Sequence, residues 1–221
     1  RDAEISFQKS KLDFEKIKGL DSSGTTRLKQ KAEDDLKKSY EDGLNLVANV
    51  FLDLPDIMTG MDDLLFSSTL TNGQWNINYY TDSIKIYNDE AEKFKEDAYD
   101  KYQTARKEYE KNFTDYKSSS RLSSSDTIDK LIEETYNTAR SVAEAAKSSN
   151  NLIRLYKDEF IKHNLKLASL ADTHLYSLGS YTGKTNTYLL NLLNIKTSIK
   201  NAKDGILNAD LDFRSQELSL K

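Results

Sequence analysis

Cysteine, proline and glycine are scarce in this sequence. Its 221 residues include no cysteine, one proline and eight glycines. Without cysteine the chain can form neither a disulfide framework nor a thiolate zinc site. A protein built of many strands and tight turns needs far more proline and glycine than this. The sequence therefore predicts an almost all-α protein.

Long apolar runs and an excess of one charge are also missing. No stretch approaches the ~20 apolar residues that span a bilayer. The 36 acidic and 32 basic residues give a formal charge of only -4, whereas phosphate backbones attract strongly basic surfaces. Nucleic acid is therefore not an expected partner. The chain begins with Arg1 rather than methionine, which suggests a fragment of a longer protein.

Apolar residues instead recur at helical spacing through most of the chain. The breaks in this pattern predict five helices, over residues 3–19, 25–65, 84–116, 126–163 and 169–221. Pro55 lies inside the second of them and predicts a kink or a restart there, because proline removes one ladder hydrogen bond. Asp126 is the expected cap of the fourth helix, and Ser169 with Asp172 forms a capping-box pattern for the fifth.

The helix lengths favour one topology. Up-down packing of the second to fifth helices uses only about 30 residues of the last helix and leaves about 20 with an apolar stripe to cover. The first predicted helix carries an apolar stripe that can cover it. We therefore expect an elongated up-down four-helix bundle, residues 25–200, on a two-helix antiparallel coiled-coil stalk formed by residues 1–19 and 201–221.

Both arms of the expected stalk carry an apolar seam of coiled-coil type. The seam residues are Ala3, Phe7, Ser10, Phe14 and Ile17 in the first arm and Ile206, Ala209, Phe213 and Leu220 in the second. Two registers fit this pattern: one sets Ser10 against Phe213, and a seven-residue slip sets Ser10 against Ile206. The first is favoured because the slip leaves Phe213 and Leu220 without partners.

Several sequence patterns could indicate a catalytic, binding or modification site, but each has a simple structural interpretation. We predict no catalytic, cofactor-binding or metal-ligating residue. The stretch "GSYTGKTN" has the wrong glycine spacing for a phosphate-binding loop and is interpreted as a helical turn, with Gly179 and Gly183 allowing close helix packing. His163 and His174 flank a predicted loop and are interpreted as surface residues. "NFT" at Asn112 fits the glycosylation pattern, but it lies on a predicted helix.

The break at residues 66–75 has a more specific interpretation. Phe66, Leu70 and Trp75 are apolar residues in a loop at the bundle end furthest from the stalk. If they are exposed, they form a tip that docks a partner. The alternative is that they fold over the end of the bundle as a plug.

Two sets of segments resemble a known family. "DAEISFQKSKLDFEKI" and "LDFRSQELSLK" resemble the two arms of the α-helical hairpin in periplasmic adaptor proteins, also called membrane fusion proteins, of efflux and type I secretion systems. "VFLDLPDIMTGMDDLLF" and "LADTHLYSLGSYTGKTNTYL" resemble a large helical insertion of adaptor-like proteins. The resemblance implies that both chain ends are cut sites inside a longer protein. The four-helix insertion and the lack of any lipoyl or barrel segment depart from the common family pattern.

The resemblance implies a non-enzymatic spacer and assembly module outside the cytoplasm, anchored by segments beyond this sequence. Its partners would be a membrane transporter and other export-complex subunits, with homo-oligomers formed through the full-length protein. An extracytoplasmic helical sensor of a signalling receptor is the alternative, but it needs a ligand pocket between helices that no polar cluster marks. A helical pore-forming toxin would need a long apolar hairpin, which is missing.

Overall fold

A computed structural model describes residues 5–12 and 27–218, except for the side chains of residues 27, 28, 212, 213 and 216–218. Its helices are α1 (residues 5–12), α2 (Arg27–Phe66), α3 (Asn76–Asp82), α4 (Ala91–Ser118), α5 (Ser125–Lys162) and α6 (Ala171–Leu218). No strand occurs in these described ranges. The prediction of an all-α protein is therefore confirmed.

The helices differ in three places from those predicted: at Pro55, at the cap of α5 and before α4. α2 continues through Pro55 as one helix, so the restart expected there is wrong. The hydroxyl of Ser124, rather than the carboxylate of Asp126, caps α5 by accepting the Thr127 N–H at 3.3 Å. The third predicted helix begins only at Ala91, and the short α3 that precedes it was not predicted. Ile84, where we expected that helix to begin, is buried in the turn between α3 and α4.

The chain divides into two compact units. The described residues of Arg1–Gly43 and Asn194–Lys221 form the smaller unit, and Leu44–Leu193 form the larger one. Of the boundaries proposed from the sequence, the one at residues 19–25 lies outside the described residues, and the one at residues 200–201 falls within Asn194–Lys221.

In the larger unit the four long helices are antiparallel neighbours. Each neighbouring pair is joined by two contacts whose residue numbers rise in one helix as they fall in the other. These contacts are Phe51–Tyr116 and Asp62–Tyr102 for α2 with α4, Lys101–Glu144 and Asn112–Thr135 for α4 with α5, Asn150–Leu175 and Lys157–Asp172 for α5 with α6, and Gly60–Tyr181 and Asp53–Lys184 for α2 with α6. The loop after α2 and the loop before α6 therefore lie at the same end of this unit.

The core of the larger unit is aliphatic and aromatic. Its fully buried large side chains are Leu54, Ile57, Met61, Leu65, Ile77, Tyr80, Ile84, Leu131, Ile132, Leu152, Ile153 and Tyr156. One buried polar group links α4 to α5: the amide of Asn112 donates to the hydroxyls of Thr135 at 3.2 Å and Thr138 at 3.1 Å. The glycosylation pattern at Asn112 is therefore internal, since this side chain is 1% exposed.

In the smaller unit the start of α2 packs against the second half of α6. Lys29 forms an ion pair with Asp210 at 2.7 Å. A Cβ atom built at Gly205 would lie 3.4 Å from the Cβ of Ala32. Ala209 of α6 is buried in the same unit. Small side chains let two helices approach closely, so this pairing has a direct physical cause. This pairing was not predicted from the sequence.

Candidate partner-docking site

Phe66 ends α2 at the centre of a group of aromatic rings. Its ring centroid lies 4.9 Å from that of Tyr102, 5.4 Å from that of Trp75 and 5.9 Å from that of Tyr99. The rings of Trp75 and Tyr99 are nearly perpendicular to Phe66, at 82° and 86°. Edge-to-face pairs of this kind are favoured by the ring quadrupoles. We call Phe66, Trp75 and Tyr99 the aromatic surface.

A buried amide holds the loop between α2 and α3 in place. Asn76 is fully buried, and its side-chain nitrogen donates to the Leu64 carbonyl at 3.1 Å and the Ser67 hydroxyl at 2.9 Å. Its side-chain oxygen accepts the backbone N–H of Leu70 at 3.1 Å. The residue that follows Trp75 is therefore tied to the end of α2, which fixes the position of the backbone that carries the Trp75 side chain.

The three residues of the predicted tip have different surroundings. Trp75 is 51% exposed, whereas Phe66 and Leu70 are half-buried. The structure brings the rings of Phe66 and Trp75 together and attaches Leu70 through its backbone. Tyr99 is 40% exposed and was not predicted as part of the tip. Tyr99 is an aromatic residue directly after the buried Ala98, at the edge of the inward-facing stripe of α4. This position is the sequence signal that could have indicated a place for Tyr99 in the tip.

A polar contact lies beneath the aromatic surface. The Tyr102 hydroxyl donates to the Asp62 carboxylate at 2.6 Å, and the Arg106 guanidinium is 3.8 Å from the same carboxylate. Burial, together with this hydrogen bond, raises the pKa of Tyr102 well above its usual range. Tyr102 therefore stays neutral, and its hydroxyl keeps its proton for Asp62.

Negative charge is concentrated next to this surface. Residues 82–100 contain seven acidic and three basic residues, a net charge of -4 that equals the charge of the whole chain. Outside this segment acidic and basic residues are equal in number, at 29 each. Lys85, Lys93 and Lys95 are each paired with an acidic residue of the same segment. The remaining acidic side chains are therefore not neutralised from within the segment.

Comparisons with protein-family models, with curated proteins and with solved structures gave no match for this chain.

The two histidines have different environments, and the burial of His174 differs from what was predicted. His163 is exposed and stacks on the Tyr87 ring at 4.1 Å. His174 is buried, so its interpretation as a surface residue is wrong. The Tyr80 hydroxyl lies 2.8 Å from His174 Nδ1 and compensates for the burial of that nitrogen. Burial also lowers the pKa of His174 below its usual value of 6.5.

The lowered pKa of His174 predicts that the stability of the protein depends on pH. A group whose pKa is lowered by folding binds a proton more readily in the unfolded chain, so stability falls as the pH drops through 6.5. We expect the free energy of unfolding to fall between pH 7.5 and 5.5 more steeply than in a His174→Asn variant, by up to about 1.4 kcal/mol per pH unit. Urea unfolding at both pH values measures the difference. Equal slopes in the parent and in the His174→Asn variant would contradict the prediction.

The predicted stalk seam lies only partly within the described residues. Phe7 and Ser10 are exposed, Ala209 is buried and Ile206 is half-buried. Ala3, Phe14, Ile17 and Leu220, and the side chain of Phe213, lie outside the described part of the structure. The stalk therefore stays a prediction.

The two glycines of "GSYTGKTN" were interpreted as part of a helical turn and as a close helix contact. Gly179 and Gly183 lie within α6, which confirms the helical turn, but a Cβ at either position would meet nothing within 4 Å. Their interpretation as a close helix contact is therefore wrong.

In the part of the chain that the structure describes, no cluster of three or more histidine, cysteine or acidic side chains is suited to hold a metal ion. Within the same ranges no helix is both long and apolar enough to cross a membrane.

Proposed function

We propose that this chain is a non-enzymatic spacer and assembly module of a membrane-fusion (adaptor) protein in an efflux or type I secretion-like export system, outside the cytoplasm. The observation that carries the proposal is an aromatic surface exposed at one end of a unit of antiparallel long helices. Large exposed rings at the end of such a unit mark a place where another protein can dock.

The helices of the larger unit suit the role of a spacer. α5 lies wholly within this unit and has 38 residues, so it is about 57 Å long at 1.5 Å per residue. Its buried face runs from Ile128 to Phe160 and contacts its neighbours over nearly this whole length. A helix supported in this way keeps its length under load. It can therefore set a distance between a transporter and a partner at the aromatic surface.

Labelling in cells tests this proposal. In the full-length protein, expressed in its source cells, a Leu122→Cys variant should react with a membrane-impermeant maleimide without lysis, since Leu122 is 96% exposed. Ala139→Cys is the matched control and should not react, because Ala139 is fully buried. A photo-crosslinking residue in place of Trp75 should then join the protein to a subunit of an export complex.

Two results would overturn the proposal. One is a Leu122→Cys variant that reacts only after the cytoplasmic membrane is broken. The other is a full-length protein in which this segment is joined to a signalling domain and forms no crosslink to a transport protein, as expected for a sensor.

A further inference from the structure

The aromatic surface has the geometry to receive a cation. Trp75 and Tyr99 both stand nearly perpendicular to Phe66, and both are substantially exposed. The face of an aromatic ring carries partial negative charge and attracts the guanidinium of arginine or the ammonium of lysine, and tryptophan does so best. The half-buried Phe66 ring between them offers an apolar contact at the same place.

Carboxylates flank this surface on both helices that build it. Asp63 is exposed one turn before Phe66 on α2. On α4, Glu96 is exposed one turn before Tyr99, and Asp100 is exposed one turn after Glu96 on the same side of the helix. Among the described residues none of these three carboxylates forms an ion pair within 4 Å. They therefore remain available to a charged partner, unlike the carboxylates that pair with Lys85, Lys93 and Lys95.

From this combination we infer that the aromatic surface binds a basic amphipathic helix of a partner protein. Arginine or lysine side chains of that helix lie on Trp75 and Tyr99 and pair with Glu96, Asp100 and Asp63, while an apolar side chain contacts Phe66. The excess of negative charge in residues 82–100 disfavours an anionic lipid surface or an acidic segment at this place. This inference names the partner of the docking site and therefore rests on the proposed function.

Two designed peptides test the inference on the purified 221-residue chain. Both are 14 residues long with leucine at helical spacing; one has arginine at the remaining positions and the other glutamate. Trp75 is the only tryptophan of the chain, so its fluorescence reports binding at this surface. The arginine peptide should change the Trp75 emission and bind more weakly as salt is added. The glutamate peptide should leave the emission unchanged.

Variants locate the binding. Glu96→Gln/Asp100→Asn and Tyr99→Ala should each weaken binding of the arginine peptide about tenfold. Glu41→Gln/Asp126→Asn is the matched control, because it removes the same two charges from exposed positions elsewhere, and it should bind as the parent does. Circular dichroism checks that every variant is folded.

Three results would overturn the inference: no binding of the arginine peptide, equal binding of the glutamate peptide, or a Glu96→Gln/Asp100→Asn variant that binds as tightly as its control. The cell experiment distinguishes this failure from failure of the proposed function. If labelling and crosslinking succeed there while the arginine peptide does not bind here, only the partner chemistry is wrong. If the peptide binds but Leu122→Cys is labelled only after lysis, the export function is wrong.

Discussion

Oxidation of an Ala32→Cys/Gly205→Cys variant is expected to join α2 to α6 and to raise the free energy of unfolding by about 2–4 kcal/mol. The Cβ positions of these residues are 3.4 Å apart, close to the ~3.5–4.5 Å found in disulfides. The residues are far apart in sequence, so the crosslink closes a long loop and removes much entropy from the unfolded chain. Urea unfolding with and without reductant measures the gain.

The chain has no other cysteine, so the result depends only on the introduced pair. Lys38→Cys/Gly205→Cys is the matched control, because residue 38 lies almost two turns along α2 from residue 32 and should crosslink slowly. Rapid crosslinking of the control pair and none of the Ala32 pair would show that α2 and α6 pack in another register.

The second large effect is expected from the core of the larger unit. Replacing Leu54 with alanine should lower the free energy of unfolding by about 2–5 kcal/mol, because the fully buried side chain leaves a cavity among packed helices. Chemical denaturation followed by circular dichroism measures the loss.

Leu52 provides the control on the same helix. It is 74% exposed, so Leu52→Ala should change the free energy of unfolding by less than about 0.5 kcal/mol. If the two variants lost similar stability, the side chain of residue 54 would not be buried in the core while that of residue 52 is exposed.

Long helices could be predicted from this sequence because their signal repeats many times. α2, with 40 residues, and α5, with 38, bury regular stripes, and both begin and end within a few residues of the predicted positions. α3 has only seven residues, too few for a helical period to stand out. It is held instead by the buried Asn76, and a single asparagine gives no sign in the sequence that it will be buried.

Three of the errors share a physical cause, which is contact between residues distant in sequence. Burial of His174 is possible because Tyr80, 94 residues away, supplies a hydroxyl. The pairing of Ala32 with Gly205 depends on small side chains meeting across two helices. Tyr99 joins the aromatic surface because Phe66 reaches it from α2. Periodicity along one segment reports which face is buried, and it does not report which partner covers that face.

The buried Asn112 has a practical consequence for producing the protein. Hosts that attach sugars to "NFT" do so while the acceptor asparagine is still accessible on the growing chain. A glycan on Asn112 would fill the space where its amide now meets Thr135 and Thr138, so α4 and α5 could not close on each other. Secretion from a eukaryotic host would therefore yield a fraction trapped in a misfolded, glycosylated form. A bacterial host avoids that loss.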